Sequence, residues 1–123
     1  MVGVSKKQKD KLPQNILGII RTESPQELAQ WYTAADVFVN PTYEDNFPTV
    51  NLEAQFCGTH VITYDTGGCS ECLLSDNFYT CINVGNIKSV ADVIVKINKQ
   101  RFSIVIKQYI DDNSYIKIYN YAF

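Results

Sequence analysis

Residues 40–68 read NPTYEDNFPTVNLEAQFCGTHVITYDTGG, and this stretch decides the fold. Its middle part, PTVNLEAQFC, predicts a helix that begins at Pro48 and stops at Gly58, because proline suits the first turn of a helix and glycine its end. The next five residues, HVITY, are rich in β-branched types and predict a strand. A polar loop, TYEDNF, precedes the helix, and the turn Gly67-Gly68 ends the strand. The stretch is therefore predicted to fold as loop, helix, strand and tight turn.

The chain on both sides continues this alternation of strands and helices. Directly upstream, DVFV at residues 36–39 predicts a strand, and the helix before it, PQELAQWYTAA, starts at the capping residue Ser24. The spacing of Leu28, Trp31, Tyr32 and Ala35 predicts one buried face on that helix, with Trp31 in the core. The other predicted elements are strands at residues 1–4, 16–20 and 78–84, a short helix at 69–74, an amphipathic helix at 87–99, and a tail at 102–123 that is helical with a break near 111–114.

Strands and helices that alternate over short loops are typical of an α/β fold with a parallel, Rossmann-like sheet. In such sheets, ligands bind beyond the carboxyl ends of the strands. The loops expected at those ends are residues 21–24, 40–47 and 65–70, and all three are polar. The sequence therefore predicts one unit over residues 1–123, with its site formed by these loops.

Length and charge limit the classes of protein to which the chain can belong. Its 123 residues are enough for one domain and too few for two. A formal net charge of −2 gives no electrostatic reason to expect a nucleic acid or an anionic membrane as partner. No apolar run reaches the roughly 20 residues that span a bilayer, and the first residues, MVGVSKKQ, lack the apolar core of a signal peptide. We therefore expect a cytoplasmic location.

Four cysteines leave a metal or redox site open as an alternative. Cys69 and Cys72 form a C-x-x-C pair. A zinc site would need two more ligands, but the only histidine, His60, begins a predicted strand and is expected to be structural. A thioredoxin-like pair would open a helix directly after the first strand of a βαβ unit. The preferred interpretation is that all four thiols, Cys57, Cys69, Cys72 and Cys81, are reduced and partly buried.

Within residues 40–68, the acidic residues and the glycines also follow a defined spacing. The pattern consists of Asp45, seven residues, Glu53-Ala54, Cys57-Gly58-Thr59, a strand and Gly67-Gly68. It resembles the donor-site signature of the GT-B glycosyltransferases, in particular the retaining group 1 (family 4) enzymes that build polysaccharides and capsules. The resemblance covers residues 24–71 strongly and the flanks weakly. It implies the C-terminal, donor-binding domain of a GT-B fold, truncated at its N-terminal side.

This resemblance implies a nucleotide diphosphate-sugar as donor, linked to UDP or GDP, and neither a metal nor another cofactor. Its Glu, here Glu53, would accept both ribose hydroxyls, whereas the alternative is a solvent-exposed helix carboxylate. Asp45 stands where the family has Glu and would be the catalytic residue that contacts the transferred sugar, with Glu44 as a competing candidate. The other residues expected to bind the donor are Arg21, Thr22, Asn46, Phe47, Pro48, Thr49, Val50, Gly67 and Gly68.

Parts of such an enzyme have no counterpart in this sequence. From this resemblance we expect two parts to be missing from the sequence: the N-terminal domain, which would bind a glycan or lipid-linked acceptor, and the first strand–helix unit of the donor domain. We therefore expect that the chain alone transfers no sugar, that uncovered apolar faces favour self-association, and that the full-length enzyme works at the inner face of the membrane. Two alternatives stay open: a non-catalytic nucleotide-binding subunit of a split transferase, and a small α/β interaction domain with a cysteine pair.

Overall fold

Residues 1–97 are described by the structure, which is a computed structural model. The helices are α1 (Lys6–Lys9), α2 (Pro25–Ala34), α3 (Thr49–Phe56) and α4 (Ile87–Lys96), with a 3₁₀ helix at Cys69–Cys72. The strands are β1 (Val37–Asn40), β2 (His60–Tyr64) and β3 (Tyr79–Ile82). The tail predicted at residues 102–123, and the predicted end of the last helix at residue 99, lie outside the described residues.

The three strands form one parallel sheet in the order β1-β2-β3. The register places Val37 beside His60 and Val61 beside Tyr79. All five residues of the central strand β2 are buried, as expected for a parallel strand that is covered on both faces. These features confirm the predicted α/β, Rossmann-like fold.

Helices cover both faces of this sheet. On one face, α2 and α3 pack on Val61 through Ala29, Tyr32 and Ala54. On the other face, α4 packs through Val90 and Val93, which lie against Ile62, Tyr64 and Ile82. Val61 and Ile62 point to opposite faces because successive strand residues alternate. The fold is thus two helical layers with a short parallel sheet between them.

The prediction of two strands near the N-terminus, at residues 1–4 and 16–20, is wrong, because neither forms a full strand. Only one parallel bridge, between Val2 and Ile19, forms there, and it lies outside the three-stranded sheet. Gly3 has a φ of 82°, which is outside the extended region and interrupts the first run directly after Val2. An apolar run was therefore not enough to make a strand at this end of the described chain.

The prediction that Trp31 lies in the core is also wrong. Its side chain is 38% exposed, and its indole N–H donates to Glu27 Oε1 at 3.3 Å. The buried residues of α2 are Ala29 and Tyr32. At about 100° per residue, Trp31 lies about 200° around the helix from Ala29, so burial of the Ala29 side turns Trp31 toward solvent.

Other predicted elements are confirmed with shorter bounds. The helix predicted from Pro48 begins at Thr49, with Pro48 as its N-cap. The helix predicted at residues 69–74 is a single 3₁₀ turn, and the strand predicted at 78–84 covers Tyr79–Ile82. No helix within residues 1–97 is both long enough and apolar enough to cross a membrane.

Candidate functional site

Loops that follow the carboxyl ends of β1 and β2 contact each other, as the parallel register requires. The Gly68 N–H donates to the Asp45 carbonyl at 3.1 Å, and the Thr66 hydroxyl donates to the Tyr43 carbonyl at 3.0 Å. Two of the three loops expected to form the site are therefore joined by direct hydrogen bonds.

The glycine pair allows these loops to approach this closely. A Cβ on Gly67 would overlap the Asp45 carbonyl oxygen, and a Cβ on Gly68 would overlap the Asn46 carbonyl oxygen. Gly67 also has a φ of 51°, in the left-handed region that side chains disfavour. The structure therefore gives the Gly67-Gly68 turn a specific role, which is to fit against residues 45–47.

The start of α3 lies directly after this contact and has no side-chain cap. The other three α-helices within residues 1–97 have one: the side chains of Ser5, Ser24 and Asn86 each accept a backbone N–H from the first turn. The first N–H groups of a helix have no partner inside it and carry part of the positive end of the helix dipole. Thr49 and Val50 are exposed at this start, so α3 is the described α-helix best able to offer these groups to an anion.

Asp45 is partly used within its own loop. Its Oδ1 accepts the Phe47 N–H at 3.1 Å, which fixes the turn that leads into α3. The side chain is only half-buried, so it can also contact a ligand. Glu44, the competing candidate, is exposed, and its carbonyl accepts the Thr42 hydroxyl at 3.0 Å.

Glu53 lies one turn inside α3 and is only 6% exposed, so the alternative of a solvent-exposed helix carboxylate is wrong. Its Oε2 accepts the Tyr32 hydroxyl at 3.4 Å. Burial raises the pKa of Glu53 above its usual value, while hydrogen bonds from Tyr32 and Thr49 partly lower it. Burial of a carboxylate costs free energy because the charged group loses its contact with water. A carboxylate in such a position is more typical of a functional group than of a helix surface.

Two buried amides of α3 were not identified from the sequence. Asn51 is fully buried, accepts the Asn40 side-chain N–H at 2.9 Å and donates to the Tyr79 hydroxyl at 2.9 Å. Tyr79 in turn donates to the Cys69 carbonyl. Gln55 donates to the carbonyls of Asn51 and Cys72. The spacing of Asn51 and Gln55, four residues apart on one helix face, was the available signal.

Arg21 and Thr22, two of the predicted donor-binding residues, are not joined to this group. They lie between the Val2–Ile19 bridge and α2, and no hydrogen bond connects them to α3 or to residues 40–47 within the described chain. The Val2–Ile19 bridge before them lies outside the three-stranded sheet, and their part in donor binding stays a prediction. The remaining predicted residues, Asp45 to Val50, Glu53, Gly67 and Gly68, cluster at the carboxyl end of the sheet.

His60 begins β2, and its hydrogen bonds are structural, as predicted. Its Nδ1 lies 3.1 Å from the Asn77 carbonyl and therefore donates, which leaves Nε2 to accept the Thr80 hydroxyl at 2.7 Å. Burial lowers the pKa of His60. The ring thus ties the loop before β3 to the start of β2.

The cysteines form no disulfide in the described chain. Cys57, Cys69 and Cys72 are buried, whereas Cys81 is exposed. Burial raises the pKa of Cys72 to about 11, so its thiol is protonated near neutral pH. Within residues 1–97, no group of three or more histidine, cysteine or acidic side chains is arranged to hold a metal ion.

Comparison with known proteins gives the family. A model of the glycosyl transferases group 1 matches residues 1–100. A D-inositol 3-phosphate glycosyltransferase from Streptomyces bingchenggensis is 49% identical over 53 residues, which is 41% of this chain and 12% of that protein. A protein of the same name from Arthrobacter sp. strain FB24 is 38% identical over 68 residues, or 55% of this chain and 16% of that protein.

These matches cover less than a fifth of each relative, so they describe a segment rather than a whole enzyme. The family model, however, covers most of the chain. The chain belongs to the glycosyl transferases group 1 family.

Proposed function

We propose that this chain is the donor-binding portion of a retaining glycosyltransferase and holds a nucleotide diphosphate-sugar, linked to UDP or GDP, at the start of α3. The observation that carries the proposal is the α3 start without a side-chain cap, at the carboxyl edge of a parallel sheet and beside the Gly67-Gly68 turn. Parallel sheets bind ligands at this edge. Membership of a glycosyltransferase family supports the same assignment.

The start of α3 suits a diphosphate for electrostatic reasons. Free N–H groups and about half a positive charge at a helix N-terminus stabilise phosphate oxygens. Thr49 and Val50 are exposed there and offer backbone N–H groups, and the main chain of Asn46 and Phe47 lies beside the glycine turn. In this proposal the diphosphate leaving group is stabilised by fixed dipoles, so the transfer is independent of a metal.

Glu53 and Asp45 take different roles in the proposal. Glu53, inside α3, accepts the two ribose hydroxyls of the nucleotide. Asp45, in the loop before α3, contacts the transferred hexose and stabilises the positive charge that develops when the sugar–phosphate bond breaks. Gly67 and Gly68 let the backbone approach the donor. Each role agrees with the position of its residue around the α3 start.

We further propose that the acceptor, a glycan or lipid-linked chain in polysaccharide biosynthesis, binds mainly to a separate N-terminal domain. The cleft between the two domains would bring the acceptor hydroxyl to the donor. This chain alone is then expected to bind a donor without transferring its sugar, and addition of the complementary half would be needed for turnover.

Calorimetric titration of the chain with UDP, GDP and ADP tests donor binding. We expect one nucleotide to bind, and the Glu53→Ala variant to lose that binding. Ligand at 100 times its dissociation constant adds about 2.7 kcal/mol to the free energy of unfolding, so a thermal shift should accompany the heat signal. Asp92→Ala is the matched control, because Asp92 is exposed on α4, which packs on the opposite face of the sheet. No binding at millimolar nucleotide, or equal loss in both variants, would contradict the proposal.

A further inference from the structure

We infer that Tyr32 is a positioning residue, whose hydroxyl holds the Glu53 carboxylate in the orientation that accepts a ribose diol. This inference rests on the proposed function. It concerns α2, a helix that contributes none of the donor-binding residues predicted from the sequence. The contact joins α2 to α3, and its two residues, Tyr32 and Glu53, are 21 positions apart in the chain.

Two contacts, apart from its hydrogen bond to Glu53, hold Tyr32 in place. Its ring is buried, with 7% exposure, and packs edge-on against Phe38 of β1 at a centroid distance of 5.2 Å and an interplanar angle of 89°. Its carbonyl accepts the Thr59 hydroxyl, which ties α2 to the start of β2. These contacts orient the Tyr32 hydroxyl, which lies 3.4 Å from Glu53 Oε2. The ring is therefore a rigid support rather than a mobile partner.

Recognition of a ribose diol requires a carboxylate in a fixed orientation, because both hydroxyls must donate to the same carboxylate at once. The terminal torsion of a glutamate is broad, so a carboxylate without partners rotates freely. A carboxylate has about four acceptor positions. Hydrogen bonds from Tyr32 and Thr49 use part of this capacity and fix the plane of the group. The unused positions are then presented to the ligand in one orientation.

Hydrogen bonding by Tyr32 also favours the charged form of Glu53. Burial raises the pKa of Glu53, and the Tyr32 hydroxyl opposes this shift. Folding therefore becomes less favourable as pH rises from 4.5 through the raised pKa, whereas binding to ribose, which needs the carboxylate, strengthens over the same range. The other titratable groups on the elements packed against α3 are Glu27 on α2, His60 and Tyr64 on β2, and Cys69, Glu71 and Cys72 on the 3₁₀ helix. The shift of the Glu53 pKa comes from burial and from the hydrogen bonds with Tyr32 and Thr49.

The Tyr32→Phe variant tests the inference because it removes the hydroxyl and keeps the ring. For the nucleotide that binds, we would compare the ribose form with its 2′-deoxyribose form from pH 4 to 8. In the unaltered chain the ribose form should bind more tightly. In Tyr32→Phe the affinity for the ribose form should fall about tenfold, as expected for a misaligned hydrogen bond to a charged group. The preference over the deoxy form should shrink, and the pH midpoint of binding should rise.

Tyr64→Phe is the control, because Tyr64 is also buried but packs on the α4 face of the sheet. It should leave the ribose preference and the pH midpoint unchanged. A second readout needs no ligand: carbon-13 NMR titration should give Glu53 a higher pKa in Tyr32→Phe than in the unaltered chain. Nucleotide binding with the same ribose preference and the same pKa in Tyr32→Phe would overturn the inference alone. No binding of any nucleotide by the unaltered chain would contradict the proposed function and this inference with it.

Discussion

Replacement of Gly68 by alanine is expected to lower the free energy of unfolding by about 3 kcal/mol, near the upper end for overpacking, because the added Cβ meets backbone rather than a flexible side chain. That Cβ would overlap the carbonyl oxygen of Asn46. The φ of Gly68 is −87°, which any residue can adopt, so the loss would come from the contact alone. Urea denaturation of both proteins measures the difference.

Gly3→Ala separates this contact from backbone strain. Gly3 has a φ of 82° but no atom within 4 Å of its added Cβ, so alanine there costs about 1 kcal/mol, from the left-handed conformation alone. Gly67→Ala combines strain with overlap and should exceed both. If Gly68→Ala unfolded at the same urea concentration as the unaltered chain, residues 45–47 and the glycine turn would not be in contact as described.

Replacement of Asn51 by alanine is expected to have a similar effect, a loss of about 3 kcal/mol from two hydrogen bonds and the buried polar groups left without partners. Asn51 connects the end of β1, through Asn40, with β3, through Tyr79. Its loss should also loosen the first turn of α3, where the donor is proposed to bind. Thermal or urea unfolding monitored by circular dichroism measures the effect.

A double-mutant cycle with Tyr79→Phe identifies the contact responsible. The combined loss in Asn51→Ala/Tyr79→Phe should be smaller than the sum of the single losses, because both remove the same hydrogen bond. Gln30→Ala, an amide exposed on α2, is the control and should stay within about 0.5 kcal/mol of the unaltered chain. Strict additivity would show that Asn51 and Tyr79 are independent of each other.

The sequence predicted the central part of the fold because pattern and local chemistry agree there. The helix after Pro48, the strand HVITY and the turn at Gly67-Gly68 each carry their own local signal, and all three are present in the structure. Trp31 shows where local pattern is insufficient. The spacing of apolar residues defines an apolar stripe along a helix, but the neighbouring elements decide which side of that stripe is buried. Here α3 and the sheet cover Ala29 and Tyr32.

For the site, the sequence identified the residues around the α3 start but not the groups that hold them. Asp45, Glu53 and the glycine pair follow a spacing that is visible along the chain. The contacts of Glu53 with Tyr32, and of Asn51 with Tyr79, join residues 21 and 28 positions apart. Such pairs depend on tertiary packing, so no local pattern predicts them. Arg21 and Thr22 were assigned to the site by the family resemblance, after a predicted strand of which only a single bridge formed, and their role stays a prediction.

The most direct test of the central claim, that a nucleotide diphosphate binds at the start of α3, is a ¹H–¹⁵N NMR titration with the nucleotide that calorimetry selects. We predict that the amide signals of Thr49 and Val50, with those of Gly67 and Gly68, shift in proportion to occupancy. The amides of Gln8 and Ser89, which donate to the caps of α1 and α4, should not shift. Shifts centred on residues 21–24, with Thr49 and Val50 unchanged, would contradict it.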